Sequence, residues 1–433
     1  MSDRRYTCIR SDALHECYYR MRHGSGLEIY VFPKQLTQKY AALSVRYGSL
    51  NVNFRDADGL CTIPDGVAHF LEHKMFENED GSDTFEKFAL LGANANAYTS
   101  TNVTSYLFSC TENFFPSLRL LVSYVKAPYF TEQNIAKEQG IIGREIGMYE
   151  DHIGNCLYYS LLGLLYRNHP VKTKICGSAE SIAQITPEIL YRCYRDFYRL
   201  PNMILSVCGD VEPDEVARLV DEMIPPDPGE PGAQTIPVSE PQEIRRATET
   251  LYMEIGIPHF AVGLKCDAGG ETPVEQAKHG IAFNMLNDIL FGDSSTLYET
   301  LYSQGKITAL SASYEWGEDY GYNILNGEAH DPEDVYREYL AYIVRMKKEG
   351  ISRGDFERVK RMTYAEYIRV FDSTEEIADE LLRCVLSGID LLTYGNIIQS
   401  VTYDDVCRIL NQEFLENKTA LSIIMPKEAK PCI

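Results

Sequence analysis

Apolar and polar positions along the first half of the chain predict strands and helices in mixed order. Short apolar stretches predict strands at residues 27–32, 41–47, 104–109 and 204–208. Apolar residues at helical spacing predict helices at residues 66–76, 84–91, 115–127, 131–149 and 187–198. The strands are not separated by one helix each, which disfavours a regular βαβ winding. The pattern therefore predicts an α+β roll, in which helices pack on one face of a mainly antiparallel sheet.

A proline-rich segment at residues 224–245 separates two parts of similar length that resemble each other. Both parts end in a capped helix followed by an apolar strand, and the same offset relates Thr186 to Thr402 and Leu205 to Leu421. A strand at 40–45 and a helix near residue 66 have counterparts at 260–264 and near residue 280. The chain is therefore predicted to hold two homologous α/β-roll domains, at 1–223 and 246–433, joined by an extended linker at 224–245.

The charge balance excludes two classes of partner. Lys and Arg number 41 against 63 Asp and Glu, a net charge of −22, which repels nucleic acid and anionic membrane surfaces. No apolar stretch is long enough to span a membrane, and residues 1–20 lack the apolar centre of a secretion signal.

The 12 cysteines include no CxxC pair. This pattern favours free thiols and a cytoplasmic location over a disulfide framework or a cysteine-ligated zinc site.

The most specific chemical signal is the motif His69-Phe70-Leu71-Glu72-His73, which follows a helix-start signal with Asp65 as the expected cap. Histidines four residues apart lie one turn above each other, so His69 and His73 can hold one zinc ion. Glu72 lies beside them and can accept a proton from an attacking water. The alternative is a surface helix that carries two histidines by chance, but the apolar neighbours indicate a buried helix face.

A third ligand is expected from a carboxylate on another helix. Glu138 and Glu145 are two helical turns apart in the predicted helix at 131–149, so both lie on one face. Two carboxylates on a buried face are costly unless a cation compensates them. The alternative, that both are solvated or paired with Lys137 and Arg144, stays open on spacing alone.

Together these residues resemble the pitrilysin/insulinase (M16) family of zinc peptidases, whose motif is the inverted order His-x-x-Glu-His followed by Glu-x6-Glu. The resemblance implies that Glu145 is the third zinc ligand and that Glu138 is an outer carboxylate that orients the site. It also implies that Glu72 is the catalytic base. Essentially the whole chain is covered, although the C-terminal half matches only in outline, and the likeness is strongest to the short bacterial two-domain, YmfH-like branch.

The segment between the two helices resembles the family's edge strand, which pairs with substrate. Residues 92–99 and 104–106 carry this likeness. The resemblance implies that a peptide substrate adds as a strand through main-chain hydrogen bonds. The implied substrate-binding residues are Ala95, Asn96 and Ala97.

The chain departs from the family pattern in two places, and its second half lacks the metal motif of the first. The gap from His73 to Glu145 is shorter than the usual family spacing, which would end near Glu150. The Arg and Tyr that hold substrate in active members have no counterpart in residues 302–309. Alignment of the two halves places residues that cannot rebuild a metal site at the motif positions of the second half: Phe283, Leu286 and Asn287.

The resemblance implies a zinc metalloendopeptidase, with one Zn²⁺ per chain in the N-terminal half, that hydrolyses short or unfolded peptides in an enclosed chamber. Four such domains form the chamber in the family, so a homodimer or a heterodimer with a related subunit is expected. The alternative is a non-catalytic or conditionally active subunit whose partner supplies the missing Arg/Tyr pair. A homodimer would need other donors, for which Tyr302 and Tyr314 are candidates.

Overall fold

The computed structural model describes residues 6–229 and 232–429, so residues 230–231 of the predicted linker, and both chain ends, lie outside the described part. Internal contacts divide the chain into two compact units. Unit 1 contains Met1–Gly147, Thr173–Pro237 and Ile368–Thr393, and unit 2 contains Met148–Lys172, Val238–Tyr367 and Tyr394–Ile433. Each unit thus includes one segment from the other side of the proline-rich stretch. The domain limits drawn from the sequence stay a prediction.

Unit 1 contains ten strands, counted among its described residues. They are β1 (Thr7–Ser11), β2 (Glu16–Arg22), β3 (Glu28–Pro33), β4 (Lys39–Val45), β5 (Asn53–Asp56), β6 (Gly59–Thr62), β7 (Ala93–Thr99), β8 (Thr104–Cys110), β9 (Met203–Gly209) and β10 (Gln234–Thr235). Seven form one sheet in the order β1-β2-β3-β9-β4-β8-β7, and the other three form a small sheet in the order β10-β5-β6. Among these described strands, only β3 and β9 pair in parallel, so the main sheet is mostly antiparallel. β7 lies at one edge of it and pairs with β8 alone.

The described part of unit 2 contains one five-stranded sheet. Its strands are β11 (Thr248–Met253), β12 (His259–Cys266), β13 (Ile307–Trp316), β14 (Gly321–Ala329) and β15 (Thr419–Pro426). Their order is β11-β15-β12-β14-β13, with β11 and β15 parallel and the other pairs antiparallel. The five strands β3-β9-β4-β8-β7 of unit 1 follow the same order and the same pattern of directions. This shared topology supports the predicted internal duplication, and the α+β class is confirmed.

Fifteen α-helices accompany the sheets in the described residues. They are α1 (Val67–Lys74), α2 (Thr84–Leu90), α3 (Phe114–Val125), α4 (Glu132–Asp151), α5 (Ile153–Leu165), α6 (Ala179–Ile182), α7 (Pro187–Phe197), α8 (Pro213–Met223), α9 (Pro273–Phe291), α10 (Thr296–Ser303), α11 (Pro332–Glu349), α12 (Arg353–Arg369), α13 (Thr374–Leu386), α14 (Leu391–Ser400) and α15 (Tyr403–Gln412). All four strands and five helices predicted for the first half are present, with ends that differ by at most a few residues.

One predicted helix start is wrong. The helix expected near residue 280 begins at Pro273, because Thr272 and Glu275 form a reciprocal capping box around a proline in the first turn. The apolar spacing from Gly280 onward marks only the buried part of this helix.

The core of unit 1 lies between its main sheet and the helices on one face. Alternate residues of β4, such as Ala41, Leu43 and Val45, point into this core together with Phe70 and Leu71 of α1. The opposite face is partly covered by α13, where Asp379 accepts a hydrogen bond from the Tyr40 hydroxyl at 3.1 Å. The sequence predicted helices on one face only. The contact with α13 was missed because this helix comes from a distant part of the chain.

Within the described ranges, no single helix is both long and apolar enough to cross a membrane. The bent pair α13 and α14 reaches the required length and composition only when its two helices are counted together.

Candidate metal centre

The motif helix α1 begins at a glycine that no other residue could replace without strain. Gly66 has a φ of 91°, and a Cβ atom there would approach the Cys176 carbonyl oxygen to 2.6 Å. The predicted cap by Asp65 is wrong, because the N-cap residue is Gly66, which has no side chain to accept a hydrogen bond. Val67, Phe70 and Leu71 are buried, so α1 is fixed against the sheet and its histidines are held in place.

Helix α4 supplies the second wall of the centre. Ile135, Ile142 and Ile146 are buried and form an apolar stripe at helical spacing. Glu138 and Glu145 lie on the same face as this stripe, which carries both carboxylates towards α1. Glu150 lies in the last turn of α4 and is exposed.

Three side chains from α1 and α4 converge on one point. Nε2 of His69 lies 3.6 Å from one oxygen of Glu145, and Nε2 of His73 lies 3.5 Å from the other. One potential ligand atom of each residue lies within 4.8 Å of the others, and no other such group of three occurs in residues 6–229 and 232–429. Atoms bound tetrahedrally to zinc are separated by about 3.4 Å, so these distances fit a metal ion.

A second carboxylate fixes the ring of His73. Nδ1 of His73 donates a hydrogen bond to Oε1 of Glu138 at 3.0 Å, which leaves the Nε2 lone pair directed at the centre. Burial raises the pKa of Glu138, but the hydrogen bond and charge of His73 outweigh it and hold that pKa below its usual value. Burial lowers the pKa of His73, yet Glu138 and the neighbouring carboxylates raise it overall.

His69 has the properties of a neutral ligand. Burial, helped by the charge of His73, lowers the pKa of His69 to about 3. Its Nδ1 atom is buried and has no hydrogen-bond partner in the described part of the chain. A neutral imidazole whose Nε2 faces a carboxylate and a second imidazole is the donor set that divalent zinc prefers. The residues therefore fit the metal that the motif predicts.

Glu72 is buried next to this centre and is held by one hydrogen bond. Oγ1 of Thr99 donates to Oε2 of Glu72 at 2.6 Å. Burial raises the pKa of Glu72, whereas the Thr99 hydrogen bond and the charge of His73 oppose this rise. The carboxylate is thus close to the metal position without being one of the three converging groups.

The predicted substrate strand lies at the edge of the main sheet. β7 pairs with β8 on one side only, and Ala95, Asn96 and Ala97 are in its middle. The backbone N–H of Ala97 donates to Oδ1 of Asn96 at 2.9 Å rather than to β8. In an antiparallel pair, alternate residues direct their main-chain groups outward, so Ala95, Ala97 and Thr99 present theirs at the open edge.

The counterpart region of unit 2 has a different chemistry. Phe283, Leu286 and Asn287 are buried in α9, and Asn287 donates to Oδ1 of Asn323 at 2.7 Å. Tyr314 is buried and donates its hydroxyl to the Asp267 carbonyl.

The sequence alone assigned no role to two residues that contact Glu72 and Glu138 beside the centre. Thr99 belongs to the segment quoted for the edge strand, and strand alternation with Ala95 and Ala97 could have placed it on the face of Glu72. Lys74 follows His73 directly, is 0% exposed and lies 3.8 Å from Glu138. A lysine directly after the motif, on a helix predicted to be buried, was the available signal for that contact.

Family models cover most of the chain. Residues 39–179 match the model described as Insulinase (Peptidase family M16), and residues 184–363 match Peptidase M16 inactive domain. The boundary between the two matches comes later in the sequence than every residue of the metal centre.

Known proteins resemble the chain along nearly its whole length. It is 33% identical to the uncharacterized zinc protease YmfH of Bacillus subtilis (strain 168), over 97% of this chain and 99% of that protein. An M16-like peptidase from Alicyclobacillus acidocaldarius has the same fold, with a TM-score of 0.90 and 29% identity over 97% of this chain and 98% of that one. A Helicobacter pylori protease shares the fold at a TM-score of 0.84 and 19% identity, over 95% of this chain and 100% of that one. On these similarities and the geometry of its metal centre, the chain belongs to peptidase family M16.

Proposed function

We propose that the chain is a zinc-dependent metalloendopeptidase that hydrolyses short or unfolded peptides within a chamber completed by a second subunit. The observation that carries this proposal is the convergence of His69, His73 and Glu145 beside the buried carboxylate of Glu72. A site that only stabilises the fold would not need a carboxylate held next to the metal position. The names of the relatives as zinc proteases support the same reaction class.

His69, His73 and Glu145 would hold the zinc ion, and three protein ligands are typical of catalytic rather than structural zinc. When bound there, zinc supplies a Lewis acid that polarises the substrate carbonyl and makes water more acidic. Glu72 acts as the general base that takes the proton of the attacking water and passes it to the leaving amine. Glu138 keeps the His73 ring in the tautomer whose Nε2 faces the ion.

The test of this proposal is metal analysis together with cleavage of unstructured peptides. We expect about one zinc per chain, loss of cleavage on chelation and recovery on adding zinc. A folded chain that takes up no zinc, or cleavage that survives complete metal removal, would contradict the proposal.

Thr99→Val is expected to shift the pH dependence of cleavage. The hydroxyl stabilises ionised Glu72, so its removal raises the Glu72 pKa and reduces the fraction of active base at low pH. The acidic limb of the pH–kcat/KM profile should move upward by about one unit, the equivalent of one charge-assisted hydrogen bond. Thr99→Ser keeps the hydroxyl and serves as the control. An acidic limb at the same pH in both variants would show that Thr99 does not tune the base.

A peptide is proposed to bind by adding a strand at the open edge of β7. Such binding uses main-chain groups, so it makes little demand on sequence and selects extended, unfolded chains. Because Asn96 already occupies the outward N–H of Ala97, an incoming peptide must displace this side chain.

Ala97→Pro removes one outward N–H while sparing the ladder with β8, since proline is tolerated at strand positions whose N–H faces away from the sheet. We expect KM to rise about two- to tenfold, the value of one hydrogen bond, with zinc content unchanged. Asn94→Ala, a change in an exposed side chain of the same strand, is the control. A KM equal to wild type in Ala97→Pro would argue against strand addition here.

The alternative function is that of a conditionally active subunit whose partner supplies the absent Arg/Tyr pair. Of the two candidate donors, Tyr314 is buried and its hydroxyl is engaged, whereas Tyr302 is 56% exposed and stacks on Tyr298. A homodimer would therefore have to rely on Tyr302. Peptide cleavage by the purified chain and its Tyr302→Phe variant separates the cases: full activity of the chain alone rejects the split site.

The cytoplasmic location stays a prediction.

A further inference from the structure

Lys74 is a lysine with no exposed surface, located directly after the second histidine of the motif. Lysines are almost never fully buried unless they are paired, because removing an ammonium group from water is costly. Its partners therefore have to account for its position.

The Lys74 ammonium connects α1 to α4 and to the loop that follows α1. Nζ lies 2.5 Å from Oε2 of Glu77 and donates to the Asn134 carbonyl oxygen at 3.4 Å. Asn134 is in the first turns of α4, where its own amide side chain bonds to the Tyr129 carbonyl oxygen at 2.9 Å. Nζ also lies 3.8 Å from Oε2 of Glu138, one helical turn further along α4.

The two oxygens of Glu138 thus have different partners. Oε1 accepts the hydrogen bond from Nδ1 of His73, while Oε2 faces the Lys74 ammonium. A carboxylate held at both oxygens cannot rotate freely, so its acceptor stays aligned with the His73 ring. That alignment determines which ring nitrogen directs its lone pair at the metal position, beside Glu145.

We propose that Lys74 is a positioning residue for the metal centre, acting through Glu138 to orient His73 for zinc. This inference rests on the proposed function, since it assumes that the centre binds zinc. Lys74 does not contact the reacting groups, and its effect is transmitted by one carboxylate and one imidazole. Mutation of an outer partner of this kind typically weakens metal affinity by about 10- to 100-fold.

The experiment is a double-mutant cycle on zinc affinity, measured by competition with a chelator. Lys74→Met keeps the apolar stem and removes the charge, and Glu138→Gln removes the carboxylate through which Lys74 acts. We expect Lys74→Met to weaken zinc binding about 10- to 100-fold in the wild-type background and to have little further effect in the Glu138→Gln background. Lys137→Met, an exposed lysine that also pairs with Glu77 at 3.3 Å, is the matched control and should leave affinity nearly unchanged.

A spectroscopic readout separates positioning from a merely structural role. In the cobalt-loaded protein, the visible absorption spectrum should change in Lys74→Met and stay like wild type in Lys137→Met. Lys74→Gln, which keeps a polar group but removes the charge, is the second variant should Lys74→Met fail to fold, and it is expected to give the same cycle.

The outcomes distinguish this inference from the function on which it rests. Equal losses of zinc affinity from Lys74→Met with and without Glu138 would overturn the positioning role while leaving the zinc peptidase intact. Unchanged affinity and an unchanged cobalt spectrum would do the same. A folded wild-type chain that binds no zinc would overturn both.

Discussion

Glu72→Gln is expected to lower the rate of peptide cleavage about 10²- to 10⁴-fold while leaving zinc content at the wild-type value. The amide has nearly the same shape as the carboxylate but cannot accept the proton of the attacking water. The three converging ligands do not include Glu72, so the metal position stays intact. Cleavage of an unstructured peptide and metal content are measured on the same preparation.

Glu86→Gln is the matched control for this change, because Glu86 is an exposed carboxylate on α2. It should retain full activity and full zinc. Equal cleavage by Glu72→Gln and wild type would remove Glu72 as the base. Loss of zinc in Glu72→Gln would instead make it part of the metal site.

Glu145→Ala is expected to abolish stable zinc binding and, with it, cleavage. Of the three clustered groups, the two histidines would remain, and the lost carboxylate lies 3.5–3.6 Å from both Nε2 atoms. Removal of one of three protein ligands leaves a site too weak to retain the ion during purification. Metal content after dialysis, measured with the thermal unfolding midpoint as a check on folding, is the readout.

The control for that prediction is Glu150→Ala, at the position that the usual family spacing indicates. Glu150 is in the last turn of α4 and outside the cluster, so its loss should leave zinc content unchanged. The opposite result, zinc lost in Glu150→Ala and kept in Glu145→Ala, would mean that the helix is turned differently in the metal-loaded protein.

The sequence predicted the elements that carry the site because their signals are local. Histidines and carboxylates at helical spacing, with apolar residues between them, are enough to place His69, His73, Glu138 and Glu145 on helix faces. Glu145 was preferred over Glu150 because Glu150 is five residues further along and lies on a different helix face from Glu138. The structure brings Glu145 to the histidines.

Contacts between distant parts of the chain were beyond the sequence. No periodicity shows that α13 covers the second face of the main sheet, because that contact joins residues hundreds of positions apart. The hydrogen bond from Thr99 to Glu72 likewise depends on how β7 is placed beside α1. The start of α9 was missed for a different reason, since its first turns are exposed and lack the apolar spacing that marks a buried helix.

The most direct measurement is anomalous diffraction at the zinc edge from crystals of the metal-loaded protein. We expect one strong peak per chain, about 2.0–2.2 Å from a nitrogen of His69, a nitrogen of His73 and an oxygen of Glu145. We also expect Glu72 to lie nearby without coordinating the ion. A peak at another place, or a zinc ion bound by the two histidines with Glu145 turned away, would contradict the account.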